Sequence, residues 1–264
     1  MYPTKYHKPA SIPDAVAALG TEGAKVLSGG QTLLPTMKQH LAAPSDLVDI
    51  TGIAELVGVC PGDGEVVIGA ATRHADVAAS SDLRKHIPGL AALAEGIGDP
   101  AVRAMGTLGG SIANNDPAAD YPAAVLALGA TVVTSAREIP AEDFFQGMFT
   151  TALEEDEIVT SVRFPIPKRA AYAKFRNPAS RYAMAGVFVA EMADGVRVAV
   201  TGAGEDGVFR SEELEEALSK DFSPAALDGI RLSEEGMLSD IHGSAAYRAH
   251  LVTVMAKRAV EKAL

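Results

Sequence analysis

Two glycine-containing segments are the part of the sequence whose residue types and spacing best suit binding chemistry. The first, SGGQTLLP, covers residues 28–35, and the second, GTLGGSIANNDPAADYP, covers residues 106–122. Glycines and small hydroxyl side chains between a strand and a helix leave backbone N–H groups free to point outward, and such groups bind phosphate without a lysine. Each segment is therefore a candidate phosphate-binding loop.

A single segment of this kind is weak evidence, because Gly-Gly between a strand and a helix usually marks an ordinary turn. Two of them on successive parts of the chain are expected to face each other across a cleft and to bind a diphosphate from both sides. Asp120, near the end of the second segment, is expected to accept hydrogen bonds from ribose or ribityl hydroxyl groups. Together these features predict a dinucleotide ligand.

Local signals predict the elements that position the first segment. Ser11 followed by Asp14 is a helix-capping pattern, and Gly20 is a typical helix stop, so a helix is predicted over residues 12–19. Further along, the predicted elements are a strand at 24–28, a helix at 33–41, a strand at 47–50, and a hairpin around the turn PGDG at 61–64. The chain thus opens with alternating helices and strands.

The second segment belongs to a longer part of the chain that mixes helices and strands. The predicted elements there are a helix at 76–95, a glycine-rich loop at 96–115, a helix at 117–128, and strands at 131–135 and 157–164. The segment PIPKRA is expected to be a connection, after which strands and then polar helices complete the chain. The predicted organisation is α+β, with a first subdomain at 1–53, a second at 54–168 and a C-terminal domain at 169–264.

The composition excludes several classes of function. The 264 residues include 23 basic and 34 acidic side chains, for a net charge of −11 without any basic stretch, so nucleic acid is not an expected partner. The apolar runs are much shorter than the roughly 20 residues of a membrane span. With no apolar signal core near the N-terminus, the cytoplasm is the expected compartment.

The single cysteine, Cys60, excludes an internal disulfide. It also excludes an iron-sulfur cluster held by this chain alone, since such a cluster takes about four thiolates. Cys60 precedes a turn at the end of an apolar run, and we expect it to be a small buried residue with a structural role.

Three weaker patterns are expected to be incidental. GAGEDG at 202–207 fits the GxGxxG motif of a nicotinamide-binding Rossmann dehydrogenase, but Glu205 and Asp206 would place negative charge at the pyrophosphate, so we expect an exposed strand-to-helix loop. Around Ser111, GGSIA lacks the final glycine of a hydrolase nucleophile elbow. The six histidines show no metal-binding spacing and are expected at the surface or at core edges.

Four longer stretches carry a family resemblance. These are SGGQTLLPTMKQHLAAPSDLVDI, IGDPAVRAMGTLGGSIANNDPAADYPA, KFRNPASRYAMAGVFVA and IHGSAAYRAHL. Together they resemble the FAD-binding medium subunits of the carbon monoxide dehydrogenase and xanthine dehydrogenase family. The stretches are long, occur in the family's order and spacing, and extend the resemblance from end to end of the chain.

The resemblance implies the fold, the cofactor and the partners. The implied fold is the FAD-binding PCMH-type, vanillyl-alcohol oxidase-like fold of two α/β subdomains, followed by a C-terminal domain of sheet and helices. FAD would receive electrons that leave a molybdenum cofactor through 2Fe-2S clusters, and would pass them to an external acceptor. The molybdenum cofactor and the clusters would lie on a large molybdopterin-binding subunit and a small 2Fe-2S subunit, assembled as a dimer of heterotrimers.

The resemblance also assigns FAD contacts residue by residue. They are Ser28, Gly29, Gly30, Gln31, Thr32, Leu33, Thr107, Leu108, Gly109, Gly110, Ser111, Asn114, Asp120, Ile158, Lys174 and Tyr182. The two glycine segments would bind the diphosphate and Asp120 a ribose. Leu108 would pack near the flavin ring, Ile158 or Val159 would make an apolar contact, and Tyr182 would cover one face of the isoalloxazine.

The sequence departs from the family's pattern at three positions of the second segment. Ala104 replaces an asparagine, while Asn114 and Asn115 stand where many relatives carry His and Ala. A flavin that only relays electrons needs no acid, base or nucleophile from the protein, in agreement with the lack of a catalytic triad. The alternative is a stand-alone FAD-dependent oxidoreductase of the same fold, whose additional substrate domain is not evident in the sequence.

Overall fold

The computed structural model describes residues 1–264. The first unit of the chain contains β1 (Lys5–His7), α1 (Ile12–Leu19), β2 (Lys25–Leu27), α2 (Leu33–Lys38) and β3 (Asp46–Asp49). Its three strands form a parallel sheet in the order β1-β3-β2. The predicted cap of α1 is confirmed, because the Ser11 side chain accepts a hydrogen bond from the backbone N–H of Asp14.

The second unit is built on a five-stranded antiparallel sheet with the order β4-β5-β10-β6-β7. Its strands are β4 (Val59–Pro61), β5 (Glu65–Gly69), β6 (Thr131–Thr134), β7 (Glu138–Pro140) and β10 (Val159–Pro165), with a separate hairpin of β8 (Phe145–Gly147) and β9 (Thr150–Thr151). Its helices are a 3-10 turn (Ala54–Leu56), α3 (His74–Ala79), α4 (Ser81–His86), α5 (Pro88–Glu95), α6 (Pro100–Arg103), α7 (Leu108–Asn114), α8 (Tyr121–Ala127) and α9 (Ala141–Phe144). The hairpin predicted around PGDG is β4–β5.

The C-terminal unit is a four-stranded antiparallel sheet covered by helices. It comprises β11 (Arg169–Arg176), β12 (Ala183–Glu191), β13 (Val196–Gly204), β14 (Gly207–Arg210), α10 (Glu212–Lys220), a 3-10 turn (Pro224–Leu227) and α11 (Ala245–Ala263). Residues of β12 alternate between two cores: Phe188 packs into the core that contains α8, whereas Val187 and Val189 pack into the core that contains α11. Burial on both faces explains why the sequence of β12 is continuously apolar.

The predicted helix at 76–95 is three helices. The Ser80 side chain accepts a hydrogen bond from the Leu83 N–H and so starts α4, and Pro88 starts α5. The helix predicted from Pro117 begins only at Tyr121, because the preceding backbone has other partners. The Asp116 side chain accepts from the Ala118 N–H, and the Thr201 hydroxyl lies within hydrogen-bond distance of the Pro117 carbonyl.

The predicted loop at 96–115 was wrong, because it contains α6 and α7. The two glycines in residues 108–114 have a low helix propensity, yet α7 forms there. Tertiary packing requires one of these glycines, Gly109. A Cβ atom on Gly109 would lie 2.5 Å from the Cβ atom of Ala70. Thr107 caps α7 with its side-chain oxygen, 3.2 Å from the Gly110 nitrogen. Close approach to the strand end at Ala70 therefore outweighs the low helix propensity.

Two further predictions were wrong. GAGEDG does not lead into a helix, because it forms the turn between the paired strands β13 and β14. A Rossmann loop connects a strand to a helix, so this turn is not one. Cys60 is exposed rather than buried, since it lies on the edge strand β4 and points away from the side that Val59 packs into. No helix of the structure is long and apolar enough to span a bilayer.

Candidate dinucleotide-binding site

The two glycine segments are in direct contact. The hydroxyl oxygens of Ser28 and Thr107 are 2.9 Å apart. A Cβ atom on Gly29 would lie 2.6 Å from the Cα atom of Gly106, so only glycine permits this approach. Both segments line one cavity of about 830 Å³, a volume within the usual range for small-molecule sites. The structure therefore contains the shared cleft that the sequence predicted.

The first segment presents a row of free amides. The backbone N–H groups of residues 29–32 donate no hydrogen bond within the protein, while the Gly30 carbonyl accepts from the Leu34 N–H as α2 begins. Gly30 has φ of +67°, a left-handed conformation that favours glycine and turns successive amides outward. Ser28, Gly29, Gly30, Gln31, Thr32 and Leu33 all line the cavity. This arrangement is suited to a phosphate group.

The second segment differs from the expectation of free amides. The N–H of Leu108 donates to the Thr72 carbonyl at 3.1 Å, and that of Gly109 donates to the Ala70 carbonyl at 2.8 Å. The segment instead offers hydroxyl groups from Thr107 and Ser111, together with the bare surface of Gly110, which is exposed in the cavity wall. The two walls are thus chemically unequal, with amides on one and hydroxyls on the other.

Asp120 lies in the cavity wall, and two side chains of strand β11 contact its carboxylate. Its carboxylate accepts a hydrogen bond from the Tyr172 hydroxyl at 2.5 Å and forms an ion pair with the Lys174 ammonium at 2.8 Å. Burial raises the pKa of Asp120, and Lys174 and Tyr172 oppose that effect. The Lys174 side chain does not line the cavity, so its contact with the site is through Asp120.

The remaining predicted residues fall in different places. Ile158 lines the cavity and is only 2% exposed, and Asn114 also lies in the wall. The expectation for Leu108 was wrong, because its side chain is 0% exposed, points into the core and is absent from the cavity wall. Asn115 is structural, since its side-chain amide donates to the carbonyls of Gly147 and Thr150 at 2.8 and 2.9 Å.

Tyr182 lies in the cavity wall on the loop between β11 and β12. Its side chain is 46% exposed. Partial burial raises the pKa of its hydroxyl, with smaller contributions from Asp116 and Asp120. The preceding residue, Arg181, has φ of +64°, and its backbone N–H donates to the Asn177 carbonyl, which closes the loop. The loop therefore presents an aromatic ring that is accessible from the cavity.

His74 is a wall residue that sequence reasoning missed. It was expected at the surface or at a core edge, but it is buried at the start of α3 beside Gly106 and lines the cavity. Burial, reinforced by Arg103, lowers its pKa to about 4, so the imidazole is neutral at physiological pH. Its Nδ1 atom has no hydrogen-bond partner. The only sequence signal was its position directly after the strand-to-helix corner at the end of β5.

Two groups of residues in the cavity wall can be distinguished. Leu19, Val26, Ile50 and Ile158 pack in one apolar cluster. In the other group, the Gly98 carbonyl lies 3.5 Å from Nη1 of Arg181, the residue before Tyr182. The charged wall residues are mostly acidic, with Lys25 and Arg181 as the cations. A bound diphosphate must therefore depend on amides and hydroxyls.

Other chemistries find no support in the geometry. No group of three or more His, Cys, Asp or Glu side chains could hold a metal ion. Ser111 lies inside α7 rather than at a strand-to-helix elbow, and its hydroxyl makes no hydrogen bond to a histidine. The free amides, hydroxyls and carboxylate around one cavity instead favour the class of proteins that bind a dinucleotide between α/β units.

Comparison with known families identifies the chain. Residues 2–167 match the family described as FAD binding domain in molybdopterin dehydrogenase, and the chain belongs to this family. Membership confirms the resemblance inferred from the sequence and FAD as the cofactor.

Individual relatives agree with this assignment. The chain is 37% identical to the carbon monoxide dehydrogenase medium chain of Afipia carboxidovorans, covering 98% of this chain and 96% of the relative. It is equally similar, at 37% with the same coverage, to the nicotine 6-hydroxylase medium subunit of Paenarthrobacter nicotinovorans. The structure superimposes on a chain of reconstituted CO dehydrogenase from Oligotropha carboxidovorans with a TM-score of 0.92 and 36% identity, covering 100% and 99% of the two chains. The predicted fold class and the oxidoreductase class are confirmed.

Proposed function

We propose that this chain is the FAD-binding, electron-transferring subunit of a heteromeric molybdenum-containing hydroxylase or dehydrogenase. It accepts electrons from 2Fe-2S clusters and passes them to an external acceptor. The observation that carries the proposal is the row of unpartnered amides at residues 29–32, which lines the same cavity as Thr107 and Ser111. The charged side chains of the cavity wall are mostly acidic. A diphosphate would therefore be bound by these neutral backbone N–H groups rather than by cationic side chains.

The lining residues suggest an orientation for FAD in the cavity. The amides of residues 29–32 and the hydroxyls of Thr107 and Ser111 would hold the diphosphate, and Gly110 would leave room for it. Asp120 would accept hydrogen bonds from ribose or ribityl hydroxyls. Ile158 and the apolar cluster around it would enclose the adenine, while Tyr182 would lie against the isoalloxazine.

Bound FAD supplies the redox chemistry, because it exchanges electrons with one-electron and two-electron partners. The chain's own residues bind the cofactor, orient it and limit the access of water. Neutral His74 and the hydroxyls of the second segment add polar groups without adding charge. None of these tasks requires a general acid, a general base or a nucleophile, and the cavity holds no such triad.

The electron donors are proposed to lie on other chains. The single cysteine cannot hold a cluster. We therefore assign the clusters to a small 2Fe-2S subunit and the molybdenum cofactor to a large molybdopterin-binding subunit, in a dimer of heterotrimers. The alternative of a stand-alone oxidoreductase has less support, because medium subunits of multi-subunit enzymes match this chain over nearly their whole length. A cytoplasmic location is part of the proposal, since cysteine thiols stay reduced there while clusters are assembled.

The division of the chain into 1–53, 54–168 and 169–264 remains part of the proposal. Each part contains its own sheet, and the family match ends at residue 167, two residues before β11. The first two parts would enclose FAD. The third contributes Tyr182 to the cavity and reaches Asp120 through Tyr172 and Lys174.

The decisive experiment is purification of the chain with and without its partners. We expect a yellow protein that absorbs at about 450 nm and contains about one FAD per chain, as for other flavoproteins. Copurification with a large and a small subunit would separate the relay from a stand-alone oxidoreductase. A colourless chain that fails to bind added FAD would contradict the proposal.

A further inference from the structure

Arg248 is a buried cation that the FAD contacts do not include. It lies in the first turn of α11 and is 4% exposed. Its Nη1 atom donates to the carbonyl oxygens of Met184 and Gly202, both at 2.7 Å, and its Nη2 atom donates to the Asp240 carboxylate at 2.7 Å. One guanidinium thus connects the C-terminal helix to two strands of the sheet.

The two carbonyls are available because the sheet is irregular at this end. The paired register of β12 and β13 starts at Gly186 opposite Thr201, so Met184 and Gly202 lie beyond the ladder. Gly202 has φ of +79° and packs so closely on the Ala183 carbonyl that no side chain fits. The Arg248 guanidinium therefore takes the place of the missing strand-to-strand hydrogen bonds.

Both strands continue directly into the cavity wall. Met184 is two residues after Tyr182 in β12 and its loop. In β13, the Gly202 N–H donates to the Pro117 carbonyl at 2.7 Å, and the Thr201 hydroxyl lies 2.6 Å from the Ala119 carbonyl. Those carbonyls belong to the segment that ends at Asp120. The two strands that Arg248 connects therefore lead to two separate parts of the site: β12 to Tyr182, and β13 to the segment that ends at Asp120.

We propose that Arg248 is a positioning residue that sets the relative placement of Tyr182 and the segment 117–120. The inference rests on the proposed function, because these are the groups assigned to the isoalloxazine and to the ribose or ribityl hydroxyls. A planar guanidinium with charge-assisted hydrogen bonds fixes three acceptors in one geometry. A lysine has no such fork, so it can restore the charge without restoring the geometry.

The test measures FAD affinity of the full chain in four forms: wild type, Arg248→Met, Arg248→Lys and Met255→Ala. Met255 lies on the same helix, about 10 Å further along, in the core that contains α11. It makes none of the hydrogen bonds to Met184, Gly202 and Asp240, so we expect its truncation to destabilise the fold through the core alone. We expect Arg248→Met to weaken FAD binding by roughly tenfold, Arg248→Lys to recover part of the loss, and Met255→Ala to retain wild-type affinity. Equal losses in Arg248→Met and Met255→Ala would reduce Arg248 to a stability residue and overturn the inference.

A second measurement covers the case in which Arg248→Met fails to fold. Thr201→Val keeps the shape of the side chain and removes the hydroxyl next to the Pro117 and Ala119 carbonyls. We expect it to weaken FAD binding as well, and unchanged affinity in Thr201→Val and Arg248→Lys would overturn the inference.

A double-variant cycle with Tyr182→Ala tests the route to the flavin. If Arg248 acts through Tyr182, the losses of Arg248→Lys and Tyr182→Ala combine to less than their product, whereas independent losses multiply and contradict this route. Failure of the wild-type chain to bind FAD would instead contradict the proposed function, so the two failures are distinguishable.

Discussion

The hydroxyl oxygens of Ser28 and Thr107 lie 2.9 Å apart although 79 positions separate them in the chain. This contact joins the end of β2 to the cap of α7 and brings the amide wall of the cavity next to its hydroxyl wall. Thr107 also caps α7 through the Gly110 N–H. One threonine therefore supports both the local helix and the long-range contact.

These two roles can be separated by substitution. Ser28→Ala removes only the contact between segments, whereas Thr107→Ala also removes the helix cap. We expect Thr107→Ala to lower the free energy of unfolding by about 1 kcal/mol more than Ser28→Ala does, which is the usual loss for a cap. Urea denaturation of the two variants measures the difference, and equal losses would show that the cap of α7 contributes nothing to stability.

Gly110 tests the placement of the diphosphate. Gly110→Asp would place a carboxylate in the cavity wall near Ser28, where it would repel the phosphates. Gly110→Asn is the matched control, because it has nearly the same shape without the charge. Both must move the Thr107 side chain slightly, since a new Cβ atom would lie 2.9 Å from its hydroxyl oxygen.

We expect the flavin content of Gly110→Asp, measured by absorbance after denaturation, to fall at least about tenfold below that of Gly110→Asn, as for a change of about 1.4 kcal/mol in binding. Equal flavin content in the two variants would mean that the diphosphate does not lie against this residue.

Both partners of the ion pair between Asp120 and Lys174 are buried, with side-chain exposures of 5% and 4%. Removing one partner leaves the other charge uncompensated, at a typical loss of about 3 kcal/mol in stability. We therefore expect Asp120→Asn to be more destabilising than the double variant Asp120→Asn with Lys174→Met. Thermal unfolding of the chains without FAD checks this order, and the reverse order would contradict the ion pair's assigned role.

His74 predicts a pH dependence of stability. Its pKa is about 4 in the folded chain, below the ordinary histidine value of 6.5 that the unfolded chain retains, so between these values the unfolded chain binds a proton that the folded chain does not. Stability is therefore lost as the pH falls from about 6.5 towards 4, by up to about 3 kcal/mol. His74→Phe should flatten the unfolding free energy between about pH 5 and about pH 6.5, where an ordinary histidine takes up its proton.

The control for this experiment is His250→Gln, which alters an exposed histidine on α11. We expect it to keep the wild-type dependence on pH. A His74→Phe variant with the same slope as wild type would show that burial of this imidazole does not control acid stability.

Cys60 provides a direct test of the exposed edge strand. Because the side chain is exposed on β4, we expect one thiol per chain to react with an aromatic disulfide reagent under native conditions, and Cys60→Ser to abolish the reaction without changing FAD content. A thiol that reacts only after denaturation would contradict the exposed position and would show that Cys60 is buried, as the sequence predicted.

Local signals in the sequence determined the elements that need few distant partners. The cap at Ser11, the stop at Gly20 and the PGDG turn each work through hydrogen bonds or dihedral preferences within a few residues, so α1 and the β4–β5 hairpin follow from the sequence. The first glycine segment is of the same kind, since the φ of Gly30 is a local preference. The four family motifs then identified the cofactor.

The tertiary structure decided which groups remain available for binding. The amides of Leu108 and Gly109 donate to the carbonyls of Thr72 and Ala70, just after β5, and the Leu108 side chain is buried in the core. The neutral state of His74 depends on what packs around it. Burial and hydrogen-bond partners are set by segments far apart in the chain, and for that reason local sequence patterns could place the second segment at the site without predicting which of its atoms face the cavity.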